Sequence, residues 1–116
     1  MFKYLSLILL FCTSIAIGSD VTLSWDAPTT NADGTPLTDL AGYHIYQREG
    51  SNTYNYTAPV ATTTQTTVTL TNLQSGNYHW VARAYNTSGA ESVDSNEVAL
   101  VVVISPSPPL NLRITP

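Results

Sequence analysis

Residues 77–92 read NYHWVARAYNTSGAES. Tyr78, Trp80, Ala82 and Ala84 recur at every second position, and the run ends in Asn86, Thr87, Ser88 and Gly89. A period of two with its bulkiest rings on one side is a strand with one buried face, and the Asn/Gly cluster is the turn that stops it. His79, Val81, Arg83 and Tyr85 then share the opposite face. No stretch beyond Gly18 repeats apolar residues at helical spacing, so the chain reads as all-β.

The same reading extends outward from this stretch. Val21, Leu23 and Trp25 alternate with Thr22 and Ser24 until Asp26, Ala27 and Pro28 end the run, which predicts a strand over 21–25. Residues 29–39 are a long polar loop built from turn formers such as Asn31, Asp33, Gly34 and Pro36. A strand follows over 43–48, with Tyr43 and Ile45 inward and His44, Tyr46 and Arg48 outward. Residues 53–56 are expected to be a short edge strand. Residues 64–70 are expected to be a threonine-rich strand burying Val68 and Leu70, with Leu73 plugging the core beyond it. Residues 92–96 read as polar loop and 97–104 as the last strand. Short strands between turn signals predict an antiparallel two-sheet sandwich around Trp25, Tyr43, Ile45, Val68, Leu70, Leu73, Tyr78 and Trp80.

Residues 1–18 read as an export signal: Lys3, an apolar run, then Ala16 and Gly18 as the small residues a signal peptidase needs. The run is shorter than the roughly 20 residues of a spanning helix, so no stable membrane insertion is expected once it is cleaved. Lys3 and Cys12 leave with the signal. Residues 19–104 then form one domain without a disulfide, large enough for a modest core. Three arginines face eight acidic residues, a net charge of −5. That gives no basic footprint for nucleic acid. The expected location is secreted, periplasmic or at the cell surface.

Leu23-Ser24-Trp25 with Pro28, Gly42-Tyr43-His44-Ile45, Leu73 followed by Tyr78 through Ala84, and Asn86 with Gly89 resemble, in order and spacing, a fibronectin type III domain. The resemblance covers residues 21–103 and implies an immunoglobulin-like sandwich. It also implies that Trp25 sits in the core and that the Tyr78 hydroxyl ties back to a backbone group near Leu73, since a buried phenol needs a partner. It further implies a missing first strand, because the exported chain would start at Ser19, directly before the family's second strand. There is no Arg-Gly-Asp tripeptide. This sandwich hosts many roles, so the resemblance implies a binding or spacer module and names no ligand.

Two surfaces are candidate sites. One is the outer face, where Tyr46, Arg48, His79, Arg83 and Tyr85 offer efficient contact residues for a protein or glycan, with Tyr54 and Tyr56 extending the patch. The same residues also read as ordinary cross-strand packing. The other is the edge Val21, Leu23 and Trp25, which the missing strand leaves open as a template for another strand. No nucleophile elbow, HExxH or phosphate loop is present, so no enzyme and no cofactor are expected. His44 with His79 would make a two-ligand metal site at best. Asp26, Asn31, Asp33 and Asp39, joined by Asp94, supply oxygens of the kind calcium takes, and are equally plain turn formers.

Residues 105–116 read as a Pro-rich linker, SPSPP, followed by Leu110, Leu112 and Ile114 in alternation. The tail resembles the start of a truncated second domain. It reads either as a loose end or as a strand donated to another copy, which would give tail-mediated self-association. Filling its own sheet in the antiparallel sense would require the five linker residues, about 17 Å at full stretch, to run the length of the domain.

Overall fold

The computed structural model describes residues 18–116. The export signal expected over 1–18 lies, Gly18 apart, outside the described residues. Six strands follow in order: β1 (Ser19–Ser24), β2 (Leu40–Glu49), β3 (Ala61–Thr63), β4 (Thr67–Leu73), β5 (Gly76–Asn86) and β6 (Val98–Val102). No helix occurs among the described residues. The strands form two antiparallel sheets, β1-β4 and β3-β2-β5-β6, with β-sandwich character.

Alternation drives the packing. On β5, Tyr78 and Trp80 turn inward and are buried, and on β2 so are Tyr43 and Ile45. Leu70 and Leu73 from β4 and Val102 from β6 close the core, with Val21, Leu23, Trp25 and Val68 packed against it but only partly buried. The Tyr78 ring stacks on Trp80 at 5.7 Å between centroids. Its hydroxyl donates to the Gln74 carbonyl at 2.8 Å, one residue past Leu73. The buried Trp80 indole donates to Gln47 Oε1 at 2.8 Å across the β2–β5 pair. The polar tips of Tyr78 and Trp80 are therefore satisfied.

Gly42 is where neighbouring strands must come close. A Cβ there would sit 2.8 Å from the Tyr85 hydroxyl and 2.9 Å from the Thr63 carbonyl oxygen. The absence of a side chain lets Tyr85 of β5 lie across β2.

Several elements differ from expectation. Residues 53–56 form no strand; the edge strand is β3, five residues further on, entered by a Val60 N–H to Ile45 carbonyl bond at 2.8 Å. Residues 64–66 are turn, so β4 begins at Thr67 and includes Leu73. The last strand contracts to Val98–Val102. Residues 110–114 form no strand, and Leu110, Leu112 and Ile114 are 82 %, 97 % and 95 % exposed.

Candidate functional site

The outer face of the larger sheet is assembled by two segments that alternation alone does not place. The first is 50–60, which folds back over β2 and β5. Its Tyr56 hydroxyl reaches Asp94 at 2.7 Å and its Tyr54 hydroxyl reaches Glu97 at 2.5 Å. The second is 91–97, of which 92–96 read as loop and carry no strand; it runs beside β5 as an irregular segment that starts at a Glu91–Tyr85 bridge. Ser92 donates its N–H to the Ala84 carbonyl at 2.8 Å, and Ser95 donates its own to Ala82 at 2.9 Å. The Ala84 and Ala82 N–H groups bond to the Ser92 and Ser95 hydroxyl oxygens, at 3.0 and 2.9 Å, rather than to carbonyls. Three residues on this segment thus span two on β5, from Ser92 to Ser95 and again from Ser95 to Val98. The result is a period of three that puts Glu91, Asp94 and Glu97 all on the outer face.

These carboxylates meet the cations of the sheet. Arg83 Nε lies 2.7 Å from Asp94 and its NH1 lies 3.0 Å from Glu91, while the guanidinium sits 3.7 Å over the Tyr56 ring. Glu91 also accepts from His44 Nδ1 at 2.7 Å and from the Tyr46 hydroxyl. Arg48 pairs with Glu97 at 3.1 Å, and His79 Nδ1 lies 3.5 Å from the same carboxylate, in range for attraction but not aligned for a hydrogen bond. The His44 ring stacks on Tyr85 at 4.3 Å.

The electrostatics follow from this pairing. Burial opposes the Glu91 charge, but the bonds from Tyr46, His44 and Arg83 outweigh it and pull its pKa down to about 2. Burial and the bond to Glu91 push the Tyr46 phenol up to about 12. Burial works against the Arg83 charge, yet its hydrogen bonds to Asp94 and Glu91 raise its pKa. The bond from Tyr54 lowers the pKa of Glu97.

The expected binding face is thus brought together but largely spent on itself. Tyr46 was expected to be accessible and is 1 % exposed, because Tyr56 packs edge-on to it at 5.0 Å between ring centroids and Arg83 lies over it. Val81 beside it is buried too. Arg83 joins Tyr46; Arg48 and His79 gather separately around Glu97; Tyr85 lies against His44. The two histidines do not meet. Each stands opposite an arginine, His44 across from Arg83 and His79 across from Arg48. That sets them about 13 Å apart along the strands, too far to share an ion. Asp33 is occupied within its own turn, accepting from the Thr35 N–H at 3.0 Å and hydroxyl at 2.6 Å. Asp94 is held by Arg83. Among the described residues no three His, Cys, Asp or Glu side chains gather around a common point.

The other candidate surface is the side of the sandwich between β1 and β6. Among the described residues β1 pairs with β4 alone. The Trp25 N–H points to β4, where it donates to the Thr66 carbonyl at 3.0 Å. Strand alternation therefore aims the backbone groups of Thr22 and Ser24 at the open edge. Val98, Leu100 and Val102 stand opposite Trp80, Tyr78 and Gly76, so they share the inward face of their sheet. Val102 is buried at 4 %, but Val98 and Leu100 remain 44 % and 43 % exposed, because the smaller sheet stops at β1. Leu23, Trp25, Ile45, Trp80 and Val98 line a cleft of about 310 Å³ on this side. Trp25 Nε1 is buried there without a hydrogen-bond partner.

Searches with this chain against protein-family models and against curated proteins return no match.

Proposed function

We propose that the chain is an exported, non-catalytic binding module with a fibronectin type III-like sandwich, and that it binds an extended protein segment along the open edge of β1. The observation that carries this reading is the half-exposed inward face of β6 beside the free edge of β1. Such an edge gives affinity through main-chain hydrogen bonds and selectivity through alternate side-chain pockets. The outer face supports the reading by contrast, since its cations and carboxylates are already engaged with one another and its rings with cations or other rings. The fold assignment is supported by the strand order and by the Tyr78 tie-back. Export is supported by the pattern of residues 1–18, a lysine, an apolar run and small residues at the expected cleavage point.

A second reading, a spacer unit of a larger surface array, is favoured by the exposed tail behind a Pro-rich linker. Glycan recognition on the outer face is less well supported. Tyr56 already has Arg83 on its ring and Tyr85 already stacks on His44, which leaves few free aromatic faces for a sugar.

The test uses the chain expressed with its own leader and purified from the exported fraction. Its mass should place the N-terminus at Ser19; a retained Met1 overturns export. A synthetic peptide of alternating valine and threonine should slow hydrogen exchange at the Thr22 and Ser24 amides, and Leu23→Arg should abolish that protection while the tryptophan fluorescence stays native. Unchanged exchange at saturating peptide, or protection confined to β2 and β5, overturns the edge.

A further inference from the structure

We infer that the segment accepted by β1 is the tail of a second copy, residues 110–114, so that the protein assembles head to tail. This rests on the edge reading above and adds the identity of the occupant.

The tail has the pattern the cleft lacks. Leu110, Leu112 and Ile114 project at every second position and are almost fully in solvent. An extended segment of five residues spans about 17 Å, close to the length of β1. Three large apolar side chains at that spacing match the uncovered stretch formed by Leu23, Val98 and Leu100. Asn111 and Arg113 would then face water, as the outward positions of an edge strand should.

Direction decides between self and neighbour. β6 ends at Val102 opposite Gly76, and β1 begins at Ser19 opposite Leu73, so both lie at one pole. A tail leaving that pole and turning back on its own sheet runs parallel to β1. The tail of a neighbour, entering at the Trp25 end, runs antiparallel to β1, the pairing of every strand pair among the described residues. Residues 103–109 reach up to about 24 Å, ample for two copies set pole to pole. Pro106, Pro108 and Pro109 lack amide donors and keep this connection out of the ladder. Donor and acceptor are different patches, so the contact is heterologous and builds a ring or an open chain of copies. Asn111 now sits at φ 55° and must become extended on pairing. Asparagine tolerates both regions, so the change is local.

The experiment follows mass against concentration by sedimentation, on the exported chain and on Leu112→Arg. The exported chain should grow beyond a dimer as concentration rises through the micromolar range. Leu112→Arg should weaken association by roughly tenfold or more, since a charge replaces a buried leucine. A free peptide of residues 106–116 should bind Leu112→Arg and protect the Thr22 and Ser24 amides. A monomer at every concentration, a plateau at two copies, equal assembly by Leu112→Arg, or peptide protection away from β1 each overturns head-to-tail assembly. If the alternating Val/Thr peptide still protects Thr22 and Ser24 in that case, the open edge stands and only its occupant is wrong. If neither peptide protects them, both readings fail together.

Discussion

The outer face over β2 and β5 and the open side between β1 and β6 are made from the same sandwich, and they treat their side chains in opposite ways. On the outer face, charges and rings that alternation aims at water are covered by a returning loop and by the irregular segment 91–97. Arg83, Glu91, Asp94, Tyr46 and Tyr56 satisfy one another there. On the open side, residues that alternation aims at the core are left half in solvent, and an indole donor has no acceptor. A rich collection of Tyr and Arg therefore does not by itself mark a binding surface. What marks one is a mismatch between where a residue points and what covers it.

The contrast breaks most visibly at Arg83. Arg83→Ala removes two ion pairs and the cation over Tyr56, and leaves Glu91 and Asp94 facing each other. Its groups are partly exposed, so the loss should sit below that of a fully buried pair, at about 2–3 kcal/mol in urea unfolding. A loss under about 0.5 kcal/mol would show the face to be loosely solvated, and a glycan or protein site there would return to consideration.

Acid tests the same network. The Glu91 pKa is depressed to about 2 in the folded chain against an ordinary 4.5. Its contribution is therefore complete above about pH 4.5 and is lost as pH falls through 2, with an order of magnitude of 2 kcal/mol. Urea midpoints measured from pH 6 to pH 2 should fall in that window, and Glu91→Gln should start lower and respond less. The opposite limb belongs to Tyr46, whose pKa is raised to about 12. Its contribution is complete below about pH 10 and is lost as pH rises through 12.

Tyr54→Phe is a smaller probe of the returning loop. It removes one hydrogen bond to Glu97 and should cost about 1 kcal/mol. The loop should then show faster hydrogen exchange over 50–60, while β2 and β5 keep their protection.

How legible these regions were follows from what each depends on. Alternation located β2, β5 and the inward residues Tyr43, Ile45, Tyr78 and Trp80, because burial on one face of a strand imposes period two directly on sequence. Alternation placed Val21, Leu23 and Trp25 on one face, but the open edge itself was expected only from the resemblance, through the strand it lacks. The covering of the outer face was not legible. Residues 53–56 have strand-like tyrosines, and only the carboxylates across the face draw them over the sheet instead of into its edge. Residues 92–96 read as loop and form no strand; what that reading does not show is how they dock along β5. Their signal is a different repeat, acid followed by serine every third residue: Glu91-Ser92, Asp94-Ser95, then Glu97. It becomes readable only once a serine hydroxyl is seen to replace a carbonyl in the ladder. The tail alternated as a strand should but forms none, since alternation states what a segment can pair with and not whether a partner is present.

The smallest expected effect is the most discriminating. Val98 and Val102 lie on the same strand and the same face, but Val98 is 44 % exposed and Val102 is 4 %. Threonine keeps the branched shape and strand preference of valine, so the exchange reports mainly on how dry each position is. Val98→Thr should cost no more than about 0.5 kcal/mol in the isolated monomer, because much of that side chain already meets water. Val102→Thr should cost several times more, because its hydroxyl enters a packed core. At high protein concentration the ranking should narrow. A neighbour's tail covering β6 makes Val98 dry, and Val98→Thr then weakens assembly while scarcely changing the monomer. Equal costs at the two positions in dilute solution would mean that the open side is closed in the monomer, and the contrast between the two surfaces would disappear.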